Sequence, residues 1–179
     1  MAVTFFVSRR RVVAFLAAVL IVALTAGVAA LEIPALSGRV VDQADIISRD
    51  AEAALTDYFA RVEESSGAQV AVLTVPSLEG EALEDYSIRV VEAWELGQAG
   101  EDNGVLLFIA MQDKRVRIEV GYGLEGRLTD ATSGVIIREY LQPFFRAGDY
   151  DGGVLAASEA IGSVVADVEG IGGAGTRQN

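Results

Sequence analysis

The sequence predicts an α/β fold: a three-layer α/β/α sandwich with a small mixed sheet and about four helices. The unbroken apolar run Gly104–Ala110 has the length and β-branched content of a strand buried on both faces, and Gln69–Val75 (QVAVLTV) is a second predicted strand. The segment between them repeats apolar residues at helical spacing, so a right-handed crossover should make the two strands parallel. The alternating segment Arg115–Val120 follows after four residues and predicts a third strand that returns antiparallel.

Helical patterns flank these strands. We expect helices over residues 48–64, 82–96, 129–143 and 154–168. Ser48 and Thr129 are suited to cap the helices that they begin, because a side-chain oxygen accepts a hydrogen bond from the first turn. Pro143 is expected to end or kink the third helix. Residues 148–153 include three glycines and predict a turn before the last helix.

The first thirty residues have the order of a secretory signal. Three arginines at positions 9–11 precede an apolar run over residues 12–24, and mostly small residues follow up to Ala30. This order predicts cleavage before Leu31. An uncleaved anchor is the alternative, because the apolar stretch is close to the roughly 20 residues that span a bilayer.

The rest of the chain is long enough for one domain with its own hydrophobic core. Residues 31–38 contain Pro34 and Gly38 and are expected to form a linker, and residues 39–169 should form the domain. Residues 170–179 are glycine-rich and predict a flexible tail. We expect an exported protein in the periplasm or outside the cell. If the first segment is retained, the protein should be anchored in the inner membrane and face outward.

Charge and absent residue types narrow the function. The chain has 14 basic and 26 acidic side chains; residues 1–30 hold three basic and no acidic ones, which leaves 11 against 26, or −15. This charge repels nucleic acid and attracts divalent cations or basic partners. The chain has no Cys and no His, which excludes thiolate and imidazole metal sites and Ser-His-Asp catalysis. Oxygen ligands remain, and they favour calcium, with magnesium or manganese as alternatives.

The predicted hairpin brings distant polar residues together. With Ala110 opposite Arg115, residues 102 and 103 lie beside the loop that begins at Gly121. The resulting cluster contains Asp102, Asn103, Glu125 and Asp130. Carboxylates within reach of one another repel unless a cation compensates, so the cluster predicts a metal site. The alternative is that these residues form a turn, a solvated side chain and a helix start without any ion.

Residues 121–126 match the pattern G-x-G-x-x-G, which is typical of dinucleotide-binding loops. That motif requires a following helix, a second strand and an acidic residue roughly 20 residues later. Here two predicted helices follow and no strand, so we expect no nucleotide binding. An alternative structural interpretation is that these glycines permit positive φ angles in a tight turn.

Several motifs, in order, resemble the TPM-domain family. The resemblance covers residues 38–168 and rests on Val41-Asp42, Gly67-Ala68-Gln69-Val70, Asp102-Asn103-Gly104, Gly121-Tyr122-Gly123-Leu124-Glu125-Gly126, Leu128-Thr129-Asp130 and Gly148-Asp149-Tyr150. It implies an α/β/α sandwich that binds calcium or another divalent cation through acidic residues. Acid phosphatase activity is ascribed to some members, and other relatives are linked to photosystem II repair or are bacterial envelope proteins.

The resemblance adds Asp42 to the predicted metal ligands, beside Asp102, Glu125 and Asp130. The tracing of the chain does not place Asp42 with the others, because the first helix should start at the opposite sheet edge from Asp102. Asp42 therefore belongs either to a second acidic patch or to an arm that doubles back.

Two functional hypotheses follow. The first is a binding or assembly module that contacts a membrane or envelope protein, with the cation making its surface rigid. The second is a metal-assisted phosphatase with Asp102 and Glu125 as catalytic carboxylates and Arg117 or Arg127 neutralising the phosphoryl oxygens. Because an obvious imidazole acid or base is lacking, we favour the module. Association with the membrane itself is expected only if the N-terminal segment is uncleaved.

Overall fold

The computed structural model describes residues 30–166 and residue 170. The chain divides into two units, Met1–Ala30 and Leu31–Asn179, and the description below concerns the second. The predicted signal or anchor, the end of the last predicted helix and nearly all of the predicted tail lie outside the described residues. No helix in residues 30–166 is both long enough and apolar enough to span a bilayer.

The sheet has four strands in sequential order. They are β1 (Val40–Asp42), β2 (Gln69–Val75), β3 (Gly104–Ala110) and β4 (Arg115–Val120). β1 is parallel to β2 and β2 to β3, while β3 and β4 are antiparallel. The three longer strands and their directions confirm the predicted mixed sheet. β1 was not predicted, since three residues are too few to show a strand periodicity.

The helices of the described chain form four segments. They are α1 (Arg49–Ser66), α2 (Leu83–Ala93), α3 (Asp130–Ile136) continued by a π-helical turn (Ile137–Leu141) into α4 (Gln142–Ala147), and α5 (Tyr150–Val165). Pro143 lies in the first turn of α4, directly after the π-helical turn, and the helical path continues through it to Ala147, so Pro143 does not end the helix.

The turn predicted over residues 148–153 is shorter in the structure, and the prediction is wrong for residues 150–153, which are helical. Only Gly148 and Asp149 separate α4 from α5, and Gly148 has a left-handed φ of 79°. The carboxylate of Asp149 accepts a hydrogen bond from the N–H of Gly152 at 2.9 Å, which caps α5 and draws Gly152 and Gly153 into its first turn.

Two apolar cores lie on opposite faces of the sheet. In β2, Val70 and Val72 point to one core, which α1, α3 and α5 cover. Ala71 and Leu73 point to the other core, which α2 covers. This alternation is the period of two that a strand imposes, and it confirms the three-layer sandwich.

The segment predicted as a linker, residues 31–38, lies against α2. The indole N–H of Trp94 donates to the carbonyl of Pro34 at 2.8 Å, and the hydroxyl of Tyr86 donates to the carbonyl of Glu32 at 3.1 Å. Leu31 and Ile33 pack against the core beneath α2. The folded structure therefore includes this arm.

Candidate functional site

The residues around the start of β3 and the end of β4 form one rim of the sheet, which we call the glycine rim (residues 101–103 and 121–125). The register of the hairpin pairs Ala110 with Arg115, as predicted. At the far end, the N–H of Gly121 donates to the carbonyl of Gly104 at 2.8 Å, and that of Gly123 donates to the carbonyl of Asp102 at 3.0 Å. The predicted approach of the two segments is confirmed at the level of the main chain.

Glycine is required in this rim by close approach. A Cβ atom on Gly121 would lie 2.0 Å from the carbonyl oxygen of Asp102, and one on Gly123 would lie 1.9 Å from that of Glu101. The interpretation that these glycines serve positive φ angles is wrong, since Gly121 has a φ of −66° and Gly123 and Gly126 are not left-handed. The left-handed residue of the rim is Asp102, with a φ of 48°.

The rim loop is fastened to the core and presents one aromatic ring. Leu124 and Leu128 are buried, and the N–H of Leu128 donates to the carbonyl of Leu124 at 2.8 Å. Tyr122 lies on the other side of the loop and is 80% exposed. A rigid loop therefore displays a large amphipathic side chain to solvent.

Asn103 ties two loops together beneath the rim, the one between α1 and β2 and the one between α2 and β3. Its side chain is buried; Oδ1 accepts from the N–H of Gln98 at 2.7 Å, and Nδ2 donates to the carbonyl of Gly67 at 2.9 Å. Both ends of the amide are thus used inside the protein. In this arrangement Asn103 holds Asp102 in place, and its amide oxygen is directed away from the rim surface.

Asp130 is the first residue of α3, and its charge acts on β4. The pKa of Arg117 is raised above its usual value, first by its hydrogen bond with Glu119, against the effect of burial, and further by the charges of Glu84 and Asp130. Ser87 donates to the same Glu119 carboxylate at 2.8 Å. The charge of Asp130 is the weakest of these influences on Arg117.

Asp42 lies at the opposite end of the sheet from Asp102. It pairs with Thr74 near the end of β2, whereas Gly104 pairs with Gln69 at the start of that strand. Its carboxylate accepts from the N–H groups of Ile46 and Ile47, at 2.9 and 2.8 Å, and from the hydroxyl of Thr74. Asp42 thus shapes the turn into α1, and the chain tracing that separated it from Asp102 is confirmed.

The five predicted metal ligands do not come together at one point. Asp102 and Glu125 remain as exposed carboxylates of the rim, while the other three, Asn103, Asp130 and Asp42, have the positions described above. Within residues 30–166, no group of three or more acidic side chains is placed to hold one ion. The rim offers three exposed carboxylates, those of Glu101, Asp102 and Glu125, together with the main-chain carbonyl of Glu101 and an exposed tyrosine.

The sequence analysis did not predict that Tyr122 is the most exposed large side chain of the rim. The signal was present, because Leu124 and Leu128 stand one helical turn apart and mark the buried side of the loop. It also missed the pair formed by Glu119 and Arg117. Two residues apart on a strand, these side chains share one face, which a count of the alternation could have shown.

The architecture and rim define an α/β/α domain with a glycine-rich turn at one sheet edge. The sequence model of the TPM-domain family matches residues 40–164 of this chain. The chain belongs to the TPM-domain family, which confirms the resemblance inferred from its motifs.

Solved structures of similar proteins share this fold. The solution NMR structure of the N-terminal domain of a P. gingivalis protein is 34% identical, with a TM-score of 0.64 over 76% of this chain and 94% of that one. An N-terminal domain from Corynebacterium glutamicum is 20% identical, with a TM-score of 0.57 over 78% and 91%. The BA42 protein of Bizionia argentinensis is 21% identical, with a TM-score of 0.58 over 68% and 82%. The last two show the fold alone. No curated protein sequence matches this chain significantly.

Proposed function

We propose that this protein is an exported binding module whose glycine rim contacts a basic segment of a membrane or envelope protein. The observation that carries the proposal is Tyr122, which is 80% exposed on a loop that the main chain of Asp102 holds in place. An exposed tyrosine on a rigid loop gives a large contact area at a low cost in conformational entropy.

The charge of the rim supports a basic partner. Glu101, Asp102 and Glu125 are all exposed around Tyr122. The charge of the exported part, −15 from 11 basic and 26 acidic side chains, extends this negative field beyond the rim. Such a field speeds association with a cationic segment and disfavours nucleic acid.

A divalent cation at the rim is the second part of the proposal. The carboxylates of Asp102 and Glu125 and the carbonyl of Glu101 are hard oxygen ligands of the kind that calcium takes. Two carboxylates are few for such a site, so we expect weak binding, with a Kd on the order of 10⁻⁴–10⁻³ M. The cation would reduce the repulsion between the two carboxylates and leave the rim more rigid.

The contacts of two arginines favour the module over a phosphatase. The guanidinium of Arg117 is paired with Glu119, and that of Arg127 donates to the carbonyl of Val165 at 2.8 Å. Both side chains that were expected to neutralise a phosphoryl group already have partners in the folded protein. A phosphatase would have to release one of them first.

The role of the rim can be tested by measuring how tightly the protein binds to inner-membrane vesicles. The vesicles are prepared from cells that naturally produce the protein, because these membranes carry the proposed class of partner. Tyr122→Ala should weaken binding of the exported protein about tenfold or more, as loss of an aromatic anchor does. Tyr140→Ala is the matched control, since Tyr140 is 46% exposed on the π-helical turn, outside the rim. Equal losses in both variants, or no loss in Tyr122→Ala, would contradict the proposal.

The cation is tested separately by thermal unfolding. Millimolar calcium should raise the Tm of the exported protein by several degrees, because a ligand that binds only the folded state stabilises it. Asp102→Asn should abolish the gain, whereas Asp45→Asn, at an exposed acid near β1, should keep it. If calcium leaves the Tm of the wild type unchanged, the proposed cation site is contradicted. The proposed contact through Tyr122 is not affected by that result.

A further inference from the structure

A cavity of about 680 Å³ opens beside the loop between β3 and β4, at the other end of the sheet from the glycine rim. Its volume lies within the roughly 300–1,000 Å³ of small-molecule sites. The cavity lies at the Ala110 end of β3, whereas the rim lies at the Gly104 end. It is therefore independent of the function proposed above.

Part of the cavity lining is apolar. Ile109 and Val116 contribute from the two strands, and Ile137, Leu141 and Phe145 contribute from the helical segment that crosses them. Ile137 and Leu141 are the first and last residues of the π-helical turn. A π-helical turn widens the helix locally and is frequent at functional sites, and here it forms part of the cavity wall.

Another part of the lining is cationic. It consists of Lys114, Arg115 and Arg146, and no acidic residue of the described chain lines the cavity. These are three of the ten basic residues in the described part of the chain, which has 24 acidic ones. A concentration of positive charge in so acidic a domain is what an anionic ligand requires.

The three cations retain capacity for a ligand. No ion pair of Lys114 is seen among the described residues, and Arg146 donates to the amide oxygen of Gln142 at 2.9 Å. Arg115 approaches Glu84 at 3.5 Å, but both side chains are about half exposed, so this pair is weak. Asp113, the acidic neighbour of Lys114, is turned to the N–H of Leu78 at 2.8 Å.

We propose that this cavity binds a small amphiphilic anion, in which a carboxylate or phosphate group is attached to an aliphatic or aromatic body. The anionic group would lie against Lys114 and Arg146. The apolar body would lie on Ile109, Val116 and the π-helical turn. Apolar area supplies the affinity of such a ligand and the cations fix its orientation.

The test uses decanoate, below its micelle concentration, as the probe for the exported protein. Calorimetry should show saturable binding, and the amide NMR signals of Val116 and Ile137 should shift. Decyltrimethylammonium, which has the same chain length and the opposite charge, should bind at least tenfold more weakly. Equal binding of the two probes, or shifts confined to other residues, would overturn the proposal.

Variants that remove charges from the cavity lining test where the carboxylate of decanoate binds. Lys114→Gln combined with Arg146→Gln should weaken decanoate binding about tenfold, because two partly exposed charges are removed. Arg138→Gln is the matched control; it lies on the same π-helical turn, pairs with Glu139 and does not line the cavity. All three are exposed positions, so the variants should fold. An unchanged affinity in the double variant would overturn the proposal.

Phosphatidylglycerol vesicles test whether the cations of the cavity bind a free ligand or a lipid surface. Decanoate binding in solution, with no stronger binding to the vesicles, supports the proposal. Binding to the vesicles without binding to monomeric decanoate overturns it and assigns the cations to a membrane surface.

Discussion

The main-chain N–H of Leu31 donates a hydrogen bond to Oε2 of Glu81 at 2.9 Å. The Glu81 side chain is only 14% exposed and is also bonded by the guanidinium of Arg89, which donates in addition to the carbonyl of Leu31 at 3.0 Å. The N-terminal arm is thus fastened to α2 at the residue that follows the predicted cleavage position.

This contact suits a free N-terminus at Leu31. Cleavage before Leu31 would convert the N–H into an ammonium group beside a mostly buried carboxylate, and the hydrogen bond would become charge-assisted. After expression of the full chain, we expect the intact mass of the purified protein to be that of a chain beginning at Leu31. A mass that includes residues 1–30 would contradict cleavage and favour the anchor.

Glu81→Gln should destabilise the protein by about 2 kcal/mol, since it leaves Arg89 without its carboxylate. Urea unfolding measures the difference. Glu79→Gln is the control, because Glu79 is exposed and close in sequence. The same loss in both variants would show that the effect is one of net charge and not of this contact.

The close main-chain approach in the glycine rim predicts different effects of substitution at two glycines that lie three residues apart. Gly123→Ala should cost about 2 kcal/mol or more, because its Cβ would lie 1.9 Å from the carbonyl oxygen of Glu101 and the rim would have to open. Gly126→Ala should change stability by less than about 0.5 kcal/mol, since no atom of the described residues lies within 4 Å of the position of its Cβ. Thermal or urea unfolding of both variants measures the contrast, and equal values would contradict the close approach.

Glu63 gives a prediction of pH dependence. Burial raises the pKa of this carboxyl, but hydrogen bonds from Arg39 and Gln69 and the charge of Arg39 outweigh burial, so its pKa lies below the usual 4.5. A lowered folded-state pKa gives stability that is complete above the unfolded-state pKa and is lost as the pH falls through the folded-state value.

Glu63→Gln should therefore destabilise the protein by about 1 kcal/mol at neutral pH, and the difference from the wild type should shrink below pH 4.5. Urea unfolding at several pH values measures it. Glu64→Gln, at the exposed neighbour, should show no such trend. A difference that is independent of pH would contradict the pairing with Arg39.

The binding module predicts the absence of specific phosphatase activity. Turnover of p-nitrophenyl phosphate by the purified protein should not exceed that of a double variant with Asp102→Asn and Glu125→Gln, assayed with calcium and with magnesium. Turnover that is present in the wild type and lost in the double variant would restore the metal-assisted phosphatase.

Much of the fold was open to prediction because local patterns determine it. β3 is an apolar run of seven residues and β2 is apolar apart from Gln69 and Thr74, which favours burial of both strands. The alternation in β4 matches an edge strand with one covered face. The helix between β2 and β3 makes those strands parallel through the right-handed crossover rule. The hairpin register followed from the four-residue loop, and with it the approach of Asp102 to the glycine loop.

By itself, the sequence determined the layers, the strand directions, the family and the segments that form the rim, since periodicity, loop length and glycine position are local properties of the chain. Only the tertiary structure decided what each polar side chain does there. The amide of Asn103 turns inward to Gln98 and Gly67, and Asp42 is used by the turn into α1. The physical reason is that polar groups near a core take hydrogen-bond partners from segments distant in sequence, and which segments come within 3 Å depends on the packing of the whole domain.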